Sequence, residues 1–122
     1  MVTESTIGKQ IQLAFSKLGH RLFRMQSCMS WAGKAIHFSK SCTVTAYPGD
    51  VLIRKAFPIH SGIEGMSDYG GFTKEGRSLW VEVKTDKGTP SEAQLNFIEQ
   101  VKKSNGIAGI CRNVEDALRL LS

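Results

Sequence analysis

The stretch that decides the fold is SLWVEVKTDKGTPSEAQLNFI, which spans residues 78–98. Residues 78–85 alternate, with apolar side chains on one face and Trp80, Glu82 and Lys84 on the other. This period of two predicts a β-strand that places a carboxylate and an amine side by side. Either the strand is a solvated edge with a weak surface ion pair, or the charged pair belongs to a site.

The second part of the stretch carries the signals of a helix start. Thr89 is predicted as the N-cap, Pro90 as the first helical residue, and Glu92 as the partner in a capping box. The helix is predicted to run to about Ser104 and to end in a left-handed C-cap at Asn105-Gly106.

Gln94 lies on the apolar side of this predicted helix. It shares the helical spacing of Phe97, Ile98 and Val101, so its amide faces the sheet. The amide is either a buried group with satisfied hydrogen bonds or part of a functional site.

The flanking sequence predicts an α/β fold. Apolar spacing predicts a helix over 3–18, and Asn113 begins a last helix after a buried strand at Ile107–Cys111. The candidate strands upstream are Arg21–Arg24, Cys42–Tyr47 and Val51–Phe57, the last two joined by a turn at Pro48-Gly49-Asp50. We therefore predict a single domain, residues 1–122, with a mixed sheet flanked by helices in the order α-β-β-β-α-β-α.

Residues 61–72 hold four glycines around Asp68 and precede a predicted hairpin turn at Lys74–Arg77. Pairing around that turn brings Asp68 near Glu82. Two converging carboxylates repel each other unless a cation lies between them, and Mg²⁺ binds through oxygen ligands. Such an ion activates water for phosphodiester hydrolysis, and Lys84 could orient that water or stabilise charge on the phosphate. The pattern indicates a metal-dependent nuclease.

Charge supports a nucleic-acid partner. The 122 residues carry a net charge of +5, and residues 1–60 hold eight Lys or Arg against two acids. Residues 61–122 hold eight Lys or Arg against nine acids. A basic half of this kind favours a polyanion, although many proteins are mildly basic.

Cysteine usage and hydropathy predict the compartment. The three cysteines, Cys28, Cys42 and Cys111, are far apart and form no C-x-x-C pair, so a disulfide framework or a structural zinc site is not expected. No membrane-length apolar stretch and no signal peptide is visible, which predicts a cytoplasmic protein without a membrane partner.

Three segments together resemble the VRR-NUC family, a branch of the PD-(D/E)XK nuclease superfamily. They are GMSDYGGF at residues 65–72, EVKT at residues 82–85 and GTPSEAQLNF at residues 88–97. The trailing NGIAGICR at residues 105–112 also resembles the end of that family. The similarity covers residues 61–122 well and implies a restriction-endonuclease-like fold.

The resemblance also implies roles for individual residues. Asp68 and Glu82 match metal ligands, Lys84 matches the catalytic lysine, and Gln94 matches a glutamine of the second helix that we count with the catalytic residues. The carbonyl of Val83 is a candidate further ligand. Glu4 matches a glutamate on the first helix that completes the acidic cluster, although an acid in a first turn is also a favourable dipole partner.

The implied function is a Mg²⁺- or Mn²⁺-dependent DNA endonuclease with one or two ions and no nucleotide cofactor. Members of this size resemble phage or bacterial proteins, which implies action in a bacterial cell or a phage-infected host. They are associated with homodimers that cut branched DNA such as four-way (Holliday) junctions. The alternatives are a sequence-specific or nonspecific duplex nuclease and a non-catalytic DNA-binding module.

The sequence departs from the family between residues 25 and 60. Substrate recognition is expected in this region, so the departure leaves the metal-binding core intact and leaves the preferred DNA structure open. The candidate phosphate contacts are Arg24, Lys34, Lys40, Arg54 and Lys55.

Overall fold

The computed structural model describes residues 2–25, 32–57 and 63–122, which fall into two compact units. One unit comprises residues up to 27 and from 62 onward, and the other comprises residues 28–61. The single domain over 1–122 therefore stays a prediction.

All helices and strands of the described residues lie in the first unit. They are α1 (Glu4–Lys17), β1 (Arg21–Arg24), β2 (Tyr69–Phe72), β3 (Ser78–Val83), α2 (Glu92–Lys103), β4 (Ile107–Cys111) and α3 (Val114–Leu120). The α/β class and the order α-β-β-β-α-β-α are confirmed.

The sheet is mixed, with the strand order β1-β2-β3-β4. β1, β2 and β3 pair antiparallel, whereas β4 pairs parallel to β3 and is reached through α2. The hairpin turn between β2 and β3 is confirmed by a hydrogen bond from the Gly76 amide to the Thr73 carbonyl, at 2.9 Å. This topology puts β3 in the interior of the sheet, with a neighbour on both sides.

The two faces of β3 have different partners. Leu79, Val81 and Val83 join the main core beneath α1 and α3, together with Ile11 and Phe15 of α1. On the opposite face α2 packs through Ile98 and through Phe97, whose ring lies edge-on to Trp80 with centroids 5.1 Å apart. The predicted alternation along β3 is confirmed, and Glu82 therefore lies on the α2 face.

Two of the predicted strands are wrong. Cys42–Tyr47 and Val51–Phe57 adopt no regular structure, and their side chains are exposed. Their apolar residues favour extended backbone, but a strand also needs a partner ladder and a buried face, and the described part of this unit supplies neither. The turn between them is confirmed, because the Asp50 amide donates to the Tyr47 carbonyl at 2.9 Å.

β2, the second strand in the chain, lies inside the glycine-rich segment that follows residue 61. Glycine weakens a strand in isolation, and the sequence predicted only that this segment pairs around the hairpin turn, without strand bounds. Pairing on both sides with β1 and β3 outweighs that low propensity. β3 itself ends at Val83, two residues before the predicted boundary.

The structure also bears on the cysteines and on the hydropathy of the helices. Cys42 and Cys111 are free thiols, while Cys28 lies outside the described residues. Among the helices of the described ranges, none is long and apolar enough to cross a membrane.

The core assignment predicts a contrast between two neighbouring positions of α1. Ile11→Ala removes a fully buried side chain and should lower the free energy of unfolding by about 2–5 kcal/mol. Leu13→Ala, at a side chain that is 59% exposed, should change it by less than about 0.5 kcal/mol. Urea unfolding followed by circular dichroism measures both, and equal losses would contradict this orientation of α1.

Candidate active site

Glu82 is a buried carboxylate in the middle of the sheet. Its residue surface is 1% exposed, although a charged group is costly to bury without partners. The alternative of a solvated surface pair on an edge strand is therefore wrong, because β3 is interior and Glu82 is covered.

Three groups surround the Glu82 carboxylate. The backbone amide of Asp68 donates to Oε2 at 3.1 Å, and the side-chain amide of Gln94 donates to Oε1 at 2.8 Å. The Lys84 ammonium lies 3.6 Å from Oε1 and is itself mostly covered. The structure thus brings together all four residues predicted to be catalytic.

The environment shifts the ionisation of Glu82. Burial, and after it the charge of the nearby Asp68 carboxylate, raise the pKa of this carboxyl from its ordinary 4.5 to about 7. The hydrogen bond from the Asp68 amide and the charge of Lys84 oppose the rise. Two carboxylates that repel each other in this way would be stabilised by a cation between them.

A capping box fixes the orientation of the Gln94 amide. The N-cap of α2 is Ser91, whose hydroxyl accepts from the Gln94 backbone amide at 3.1 Å. The Gln94 carbonyl oxygen Oε1 accepts in return from the Ser91 backbone amide at 2.8 Å. Because Oε1 is held at Ser91, the amide nitrogen is the end that faces Glu82.

The predicted N-cap at Thr89 is wrong, because the capping box begins at Ser91. A box starting at Thr89 would use Glu92 as its reciprocal partner, but α2 begins only at Glu92. The box from Ser91 to Gln94 satisfies backbone amides at the start of the helix. It also places the Gln94 side-chain amide against Glu82. At the other end the left-handed backbone of Asn105, with φ of 65°, confirms the predicted helix stop.

The loop before β2 packs against the first turn of α2. Gly65 adopts φ of +82°, and a Cβ at this position would lie 2.3 Å from the Ala93 carbonyl oxygen, so glycine is required. This close approach holds the loop that ends in Asp68, whose side chain is exposed. Next to it, the Ser67 hydroxyl is buried and has no hydrogen-bond partner among the described residues.

Comparison with protein-family models matches residues 13–115 to the VRR-NUC domain. The chain belongs to the VRR-NUC family. The mixed four-stranded sheet of the described residues, flanked by helices, agrees with the PD-(D/E)XK-like fold of this family. Searches of curated proteins and of solved structures gave no significant match.

Membership has a functional consequence. A VRR-NUC domain implies a nuclease-type function in DNA processing, with DNA as the substrate, and nucleases of this family generally use divalent metal ions. The buried Glu82 beside Asp68 and Lys84 is the feature of this chain that suits such chemistry.

Two candidate metal ligands remain, the side chain of Glu4 and the backbone carbonyl of Val83. Glu4 is exposed in the first turn of α1. The described ranges contain no group of three or more His, Cys, Asp or Glu side chains that could hold a metal ion, so the role of Glu4 stays a prediction. The side chain of Val83 is buried at the end of β3. The role of the Val83 carbonyl as a metal ligand also stays a prediction.

The five candidate phosphate contacts are all exposed, as their proposed role requires. Arg24 ends the edge strand β1 in the first unit. The other four, Lys34, Lys40, Arg54 and Lys55, belong to the second unit.

Arg112 has a structural role that was not predicted from the sequence. Its guanidinium donates from Nη1 to the carbonyls of Thr85 and of Gly88, the latter at 2.8 Å, and so braces the turn between β3 and α2. The sequence signal that could have indicated this role is the position of Arg112 directly after the buried strand β4, which pairs with β3.

The corrected cap predicts a contrast between two hydroxyl residues. Ser91→Ala removes the hydroxyl that accepts from Gln94 and should cost about 1 kcal/mol of stability. Thr89→Ala, which lies before the helix, should change stability by less than about 0.5 kcal/mol. Thermal unfolding of both variants tests the assignment, and a larger loss for Thr89→Ala would overturn it.

Proposed function

We propose that this VRR-NUC domain is a metal-dependent, structure-specific endonuclease that hydrolyses phosphodiester bonds in branched DNA such as four-way junctions. The observation that carries the proposal is the buried Glu82 carboxylate, which is held beside Asp68 and Lys84 at the end of an interior strand. A structural or purely DNA-binding role gives no reason to bury a carboxylate next to a second one.

The residues fit a divalent cation. The charge of the Asp68 carboxylate raises the pKa of Glu82, so a cation between the two groups would favour the ionised form of Glu82. Carboxylate oxygens are the ligands that Mg²⁺ and Mn²⁺ prefer. We propose that Asp68 and Glu82 hold one or two such ions, with the Val83 carbonyl and Glu4 as further ligands. The bound ion would polarise the phosphate and lower the pKa of water.

The chain supplies the remaining functions. The Lys84 ammonium lies 3.6 Å from Oε1 of Glu82. It is placed to orient the attacking water or to stabilise negative charge on the phosphate. Gln94 fixes one oxygen of Glu82 and leaves the carboxylate a single orientation. Arg24, Lys34, Lys40, Arg54 and Lys55 would bind phosphates without reading base sequence.

We propose that the protein acts on branched DNA as a homodimer. A twofold dimer presents the same site twice, which suits paired cuts on the symmetric strands of a four-way junction. We place this activity in the cytoplasm of a bacterial cell or of a phage-infected host.

Cleavage of end-labelled DNA tests the proposed function. A four-way junction, a linear duplex, a flap and a single strand of matching sequence are incubated with Mg²⁺, Mn²⁺ or chelator. We expect paired nicks in the junction that need a divalent ion, and a rate lowered at least a hundredfold in Asp68→Asn and Lys84→Ala.

Lys103→Ala is the matched control, since it removes an exposed lysine at the far end of α2 and should keep the rate within twofold. Binding of the junction without cleavage in either metal would refute the enzyme and favour a DNA-binding module. Equal cleavage of junction and duplex would refute the structural specificity.

A further inference from the structure

The α2 face of the sheet carries two exposed phenylalanines beside the candidate active site. Phe23 of β1 is 52% exposed and Phe72 of β2 is 49% exposed, and their ring centroids lie 6.3 Å apart. Large aromatic side chains left exposed in contact with each other indicate a surface that binds something.

The register places both rings on the face that holds Glu82. Phe23 pairs with Gly70, and Gly70 pairs with Trp80, which lies two residues before Glu82 on the same face. Phe72 is two residues beyond Gly70 and shares this face. α2 covers the part of the face at Trp80, while the rings of Phe23 and Phe72 remain accessible.

Gly70 keeps this aromatic surface flat. A Cβ at this position would lie 2.5 Å from the Trp80 ring, so that ring lies over the backbone of β2 toward Phe23. The result is an aromatic strip that runs from Phe97 and Trp80 to Phe23 and Phe72. In the outer half of the strip, the rings of Phe23 and Phe72 are about half exposed and can contact a ligand base.

Distances along the strand relate the strip to the catalytic carboxylates. Phe23 lies opposite Gly70, which is two residues, or about 7 Å, from Asp68 along β2. Phe72 lies about 7 Å further. A stacked DNA strand advances about 3.4 Å per nucleotide, so these rings lie about two and four nucleotides from a phosphate held at Asp68 and Glu82.

Charge on this face matches a nucleic-acid strand. Exposed Arg21 pairs with Phe72 across the ladder and puts a cation at the outer end of the strip. The inner end holds Asp68, Glu82 and Lys84, where the proposed divalent ion would supply the positive charge. A phosphate backbone could then follow the strip with its bases against the rings. A duplex cannot offer its base faces to such rings, whereas unpaired nucleotides can.

We propose that Phe23 and Phe72 form a stacking site for unpaired bases next to the cleavage position. This inference rests on the proposed function, because it takes the scissile phosphate to lie at Asp68 and Glu82. It adds a physical means of selecting DNA with unpaired nucleotides near the cut, which the metal cluster alone does not provide.

Fluorescence anisotropy in chelator tests the stacking site without cleavage. The probes are a fluorescein-labelled single-stranded 12-mer and the blunt duplex of the same sequence. Phe23→Leu combined with Phe72→Leu keeps an apolar surface but removes both aromatic faces. We expect about a tenfold loss of affinity for the single strand and less than a twofold change for the duplex.

Two controls make the result specific. Phe23→Tyr combined with Phe72→Tyr keeps the rings and should retain single-strand affinity within twofold. Leu13→Ala removes an exposed apolar side chain from α1 and should leave both affinities unchanged. Circular dichroism and thermal unfolding confirm that each variant is folded.

Two results would overturn the proposal: an unchanged single-strand affinity in the double leucine variant, or an equal loss of affinity for single strand and duplex. An equal loss together with a halved molecular mass by light scattering would assign the phenylalanines to self-association.

The junction-cleavage assay is independent of this test. Aromatic-dependent binding without any cleavage would support the stacking site but refute the nuclease, and cleavage with an unchanged single-strand affinity would do the reverse.

Discussion

The burial of the Glu82 carboxylate is the constraint on which the rest of the site depends. A carboxylate that is 1% exposed must be held by donors, and each donor comes from a different part of the chain. The Asp68 amide comes from the loop before β2, the Gln94 amide from the first turn of α2, and Lys84 from the residue after β3. One buried group thereby sets the positions of the hairpin, the crossover helix and the lysine.

The sequence predicted this arrangement where short-range rules apply. Alternation along residues 78–85 placed Glu82 and Lys84 on one face, and helical spacing placed Gln94 toward the sheet. The link from Asp68 to Glu82 followed from a single hairpin turn. Local periodicity is informative here because the residues concerned lie on regular elements close together in the chain.

Prediction failed where the outcome depends on distant contacts. Val51–Phe57 has strand propensity but no partner strand among the described residues, while the glycine-rich β2 is a strand because β1 and β3 flank it. Thr89 and Ser91 are both acceptable N-caps locally. Ser91 is selected because its box partner, Gln94, also reaches Glu82. The brace from Arg112 depends on the parallel pairing of β4 with β3, which joins residues far apart in the chain.

The most direct test of this account is the titration of the Glu82 carboxyl by ¹³C NMR, assigned by comparison with Glu82→Gln. In chelator, burial and the Asp68 charge should hold its pKa at about 7, well above the ordinary 4.5. Mg²⁺ should lower that pKa, because a cation favours the ionised form. A pKa near its ordinary value in chelator, or one that Mg²⁺ leaves unchanged, would contradict the account of a buried metal-binding carboxylate.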